Sequence, residues 1–61
     1  MVLDKDILLA AKGLLRNHGD KAAMECAEMV DRWERRGDEK AAQVWRRIMN
    51  AIRDMQRETL H

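Results

Sequence analysis

The chain has 61 residues, 38% of them charged and 3% aromatic, with no Pro, Phe or Tyr; this composition suits helices and argues against a sheet. A net charge of +1 excludes any argument from bulk charge for nucleic-acid or membrane binding. A lone Cys26 with only His18 and His61 excludes an internal disulfide and an ordinary four-ligand zinc site.

Two Gly-Asp steps, Gly19-Asp20 and Gly37-Asp38, punctuate the sequence. Gly after a helix takes up the left-handed conformation without a Cβ clash, and Asp after it can cap the next helix. The steps predict one all-α domain over 1–61, an up-down-up bundle of three helices at about 5–18, 21–36 and 39–59 with tight turns.

Helix 1 carries Asp4 and Asp6 at its positive end and Lys12 and Arg16 toward its negative end, as the macrodipole favours. Leu3, Ile7, Leu8, Ala10, Ala11, Leu14 and Leu15 fall within about 160° and make its core arc. Leu9, Val2 and Gly13 lie on the other side, beside Lys12 and Arg16. Gly13 in a helix interior is either a tolerated loss of about 1 kcal/mol or a mark of close backbone approach. His18 closes the helix, where an imidazole can meet free carbonyls or the dipole.

Helix 2 places Ala22, Ala23, Cys26, Ala27, Met29, Val30 and Trp33 on one arc, with Met24 as the apolar outlier. Small residues in its first half permit close approach of neighbours. Glu25, Glu28 and Asp31 read as a solvated face, with Glu28–Arg32 and Asp31–Arg35 as acid-first i,i+4 pairs. Cys26 reads as a small buried hydrophobe.

Helix 3 is the longest, and its arc of Ala41, Val44, Trp45, Ile48, Ala51, Ile52 and Met55 is widened on one flank by Met49, Ala42 and Leu60. An arc this wide can face two neighbours. Residues 40–58 hold five basic residues against Asp54 and Glu58, a local +3 that leaves −2 elsewhere. Arg46, Arg53 and Arg57, at i, i+7 and i+11, form a stripe within about 40° of one another. Such a stripe suits phosphates or an acidic protein face, against the plain alternative of a solubilising surface.

The run Gly37-Asp38, Trp45, Ile48, Ala51 and Ile52, together with His18-Gly19-Asp20, resembles small uncharacterised helical proteins of alphaproteobacteria. That resemblance covers about half the chain and implies a bacterial source and no activity.

Glycine-rich phosphate loops, nucleophile elbows, His-Glu-x-x-His and inward Glu-x-x-His motifs are absent. The sequence therefore reads as no enzyme, with no catalytic, cofactor or metal residues. No apolar run approaches a membrane span, and no basic leader precedes an apolar one, so the expected compartment is the cytoplasm. A chain of this length buries only about 60% of the surface it exposes when unfolded, so its core is marginal by itself and self-association is the natural remedy. The expected function is a small protein-interaction or regulatory module forming a homodimer or larger assembly through Leu9, Gly13, Met24 and Met49. Its partner-binding surface would be Arg46, Arg53 and Arg57, facing an acidic protein. The alternative is a nucleic-acid-associated regulator using the same arginines.

Overall fold

The computed structural model describes residues 3–59. Val2, Leu60 and His61, on which some expectations fell, lie outside them. The described chain is helical throughout, apart from Leu3 and the turn at residues 36–38. Helix α1 spans Asp4–His18, a 3-10 turn follows at Gly19–Lys21, α2 spans Ala22–Arg35 and α3 spans Glu39–Thr59.

α1 starts where Leu3 is extended and its carbonyl accepts the amides of Asp6 at 2.9 Å and Ile7 at 3.1 Å. The Asp6 carboxylate reaches back to accept the Leu3 amide at 3.3 Å, satisfying a donor that the helix cannot.

The two Gly-Asp steps behave differently. At the second, Gly37 has φ +79°, its amide donates to Glu34 O at 3.0 Å, and the Asp38 amide donates to Trp33 O at 2.9 Å. These are the paired bonds of a Schellman stop, which the positive φ of glycine permits. Asp38 then caps α3, its Oδ1 accepting the Ala41 amide at 3.0 Å.

At the first step no loop separates the helical segments. Gly19 has a positive φ of 55°, but the 3-10 turn carries straight into α2, the Ala22 amide donating to Gly19 O. Asp20 sits inside that turn, and α2 begins after Lys21 with no side-chain cap, so the expected Asp20 cap is not formed. The described chain thus makes two uninterrupted helical runs, 4–35 and 39–59, rather than the three separate helices that two equal breaks would give.

α3 packs against both α1 and α2, which meet each other far less. At about 1.5 Å per residue its length of about 31 Å exceeds that of either partner. The central cluster is Ile7, Ala11, Ala22, Cys26, Ile48 and Ile52, with Val30 and Ala42 also buried. Ala42 is therefore core rather than flank. Met49, expected at an interface, is half-buried and packed against the cluster. Leu3 and Leu8, although on the core arc of α1, are 47% and 46% exposed, and Ala27 of α2 is exposed too. Trp33 lies outside the central cluster, half-buried, with its indole nitrogen unpartnered and the Arg36 guanidinium 5.3 Å from its ring centroid.

Candidate functional site

Because α1 and α2 both lean on α3 more than on each other, a groove opens between them. Leu14 of α1, Glu25, Cys26, Glu28 and Met29 of α2, and Trp45 of α3 line a cavity of about 350 Å³. Its walls are mostly apolar, and Glu25 and Glu28 are the ionisable carboxylates among its lining. Glu25 is half-buried rather than on a solvated face, and its Oε2 lies 3.1 Å from His18 Nδ1. That contact ties the end of α1 to the first turns of α2, in place of a contact between His18 and backbone carbonyls. Among the described residues Glu28 and Arg32 form no ion pair, whereas Asp31 and Arg35 do so at 3.0 Å.

Cys26 lies against this groove but is fully buried. Burial pushes its thiol above the ordinary value, and Glu25 adds to the effect, which favours the protonated and unreactive form.

The arginines expected to form a stripe divide into three situations. Arg46 is held on both sides, hydrogen-bonded to Glu39 at 3.0 Å and to Glu34 of α2. The bond to Glu39 raises its already high pKa and so holds the guanidinium charged, and the two carboxylates that meet it make the side chain a strap across the α2–α3 turn. Arg57 lies 4.0 Å from Asp54, and Arg53 is exposed with no ion pair among the described residues. Arg47 bonds Asp4 and ties α3 to α1. The two residues are 43 positions apart, so no local pattern signals the pair.

The residues expected at an oligomer interface do not form one patch by burial. Leu9 and Met24 are 66% and 56% exposed, while Met49 faces the core. A Cβ at Gly13 would meet nothing within 4 Å among the described residues, so no neighbouring helix among them approaches that position. Lys5, Lys12 and Arg16, beside Leu9 on α1, are all exposed and make no ion pair among the described residues.

Among the described residues, no group of three or more His, Cys, Asp or Glu is placed to hold a metal, and no helix is long and apolar enough to cross a membrane. Compared with known proteins, the chain matches no family model, no curated protein and no solved structure. The resemblance to small alphaproteobacterial helical proteins thus rests on its Gly-Asp, Trp and Ile motifs alone.

Proposed function

We propose that this chain is a small helical protein-interaction module that works as a homo-oligomer, each copy a bundle of three helical segments. One observation carries the reading: apolar volume is on the wrong side of the fold. Of the eight buried hydrophobic residues among those described three are alanine, and the largest fully buried side chains among them are Ile52 and Cys26. Leu3, Leu8, Leu9 and Met24 meanwhile stay exposed. Burying a leucine contributes about 1.5–3 kcal/mol, so a second chain that covered even two of these would add stability comparable with what such a small core supplies. The reading assigns the chain no catalytic step and no cofactor, and a single thiol without a partner suits the cytoplasm.

An acidic partner or a nucleic acid on α3 is the second reading. Arg53 and the loosely held Arg57 favour it, but Arg46 is already matched by two carboxylates. Light scattering of the purified chain at micromolar concentration, with and without nuclease treatment, tests the first reading against the second. More than one chain mass in both samples supports the self-associating module. A monomer that gains mass only with nucleic acid contradicts it.

A further inference from the structure

The outer face of α1 and the groove between α1 and α2 have opposite chemistry. Lys5, Leu9, Lys12 and Arg16 stand at i, i+4, i+7 and i+11, so on a continuous helix they form one ridge within about 60°. Leu9, the most exposed large apolar side chain among those described, stands between three cations that make no ion pair among the described residues. Unpaired cations around a bare leucine are a protrusion without a socket.

The groove is a socket without an occupant. Leu14, Met29 and Trp45 give it apolar walls that a leucine can enter, and Glu28 at its edge is exposed and unclaimed even by Arg32 four residues on. Glu25 adds a second carboxylate, shared with His18.

We infer that the α1 ridge of one copy docks on the α1/α2 groove of another, Leu9 entering between Leu14, Met29 and Trp45 while Lys12 meets Glu28. The inference rests on the self-association proposed above and names the surface that does it. The partner is a second copy because both halves of the contact are present in each chain, with opposite charge and matching apolar character. Made twice about a two-fold axis the contact closes a dimer, each ridge seated in the other copy's groove.

The test is a charge swap at two exposed positions that have no ion pair to lose among the described residues. Lys12→Glu alone places carboxylate against carboxylate at both copies of the contact, and Glu28→Lys alone places ammonium against ammonium. Each variant by itself should dimerise at least about tenfold more weakly than the parent. An equimolar mixture of the two should recover the parent's affinity. In the mixed dimer one contact keeps the native Lys12–Glu28 pair, and the other holds the same pair with its charges exchanged. Leu9→Gln should weaken dimerisation and should not be rescued by either variant. A parent that is monomeric overturns both the self-association reading and this contact. A parent that dimerises while the single variants match it, or while the mixture stays as weak as its components, leaves self-association standing and overturns this contact alone. Circular dichroism of each variant checks that the helices persist.

Discussion

Asp38 Oδ1 accepts the amide of Ala41 at 3.0 Å, closing the start of α3 immediately after the Gly37 stop. Asp20, in the same sequence context after Gly19, caps nothing because it lies within a 3-10 turn that runs on into α2. One dipeptide therefore yields a helix stop in one place and a 3-10 turn that continues into the next helix in the other.

The caps give the first prediction. Asp38→Ala should destabilise the fold by about 1 kcal/mol, since it strips an acceptor from an orphan amide. Asp20→Ala should stay within about 0.5 kcal/mol of the parent. Urea denaturation of the two variants checks this, and equal losses at both sites would contradict the asymmetry.

The glycines should separate in the same experiment. Gly37→Ala forces a side chain onto φ +79° and should cost about 1–2 kcal/mol. Gly13→Ala has open space around the new methyl group and should stabilise α1 by up to about 1 kcal/mol. A destabilising Gly13→Ala would mean that something does approach that backbone.

Why did the sequence disclose some of this and not the rest? The all-helical class and the stop at Gly37 were legible because composition, period and capping act over a few residues. The fate of Gly19-Asp20 was not, since a 3-10 continuation and a true break share the same local signals. Arg46, Arg53 and Arg57 all belong to the continuous helix α3, whose period sets their spacing around it. The pairing of Arg46 is not legible in the sequence, because Glu34, twelve residues before it, comes back over it only once the turn is formed. Met49 shows the same limit: at the edge of a wide arc, only the position of the neighbouring helix says whether a side chain faces core or water.

Arg46→Gln should lower the melting temperature, and the loss should shrink at high salt because all three members of the cluster are partly exposed. Arg53→Gln, which breaks no ion pair among the described residues, should melt like the parent. If a captured partner depends on α3, the double variant Arg53→Gln, Arg57→Gln is the cleaner probe, since it leaves the α2–α3 strap intact.

Cys26 should resist thiol reagents in the native protein and react at the rate of a free thiol once denaturant unfolds it. Its pKa is raised by burial above the ordinary thiol value of 9.0, so the unfolded chain loses its thiol proton first as pH rises. In that interval the native state binds more protons than the unfolded state, so stability is full below pH 9.0 and falls with rising pH until the folded thiol also ionises. Cys26→Ala should flatten this alkaline decline. An unchanged decline would assign it to other groups.

The central claim is that this thin core is completed by another copy of the chain, and the melting temperature as a function of protein concentration tests it most directly. If folding and association are linked, the melting temperature rises steadily across a hundredfold increase in concentration, about as mass action requires, and Leu9→Gln reduces the slope. A melting temperature that does not move with concentration, in a protein that sediments as a single chain throughout, would contradict the account.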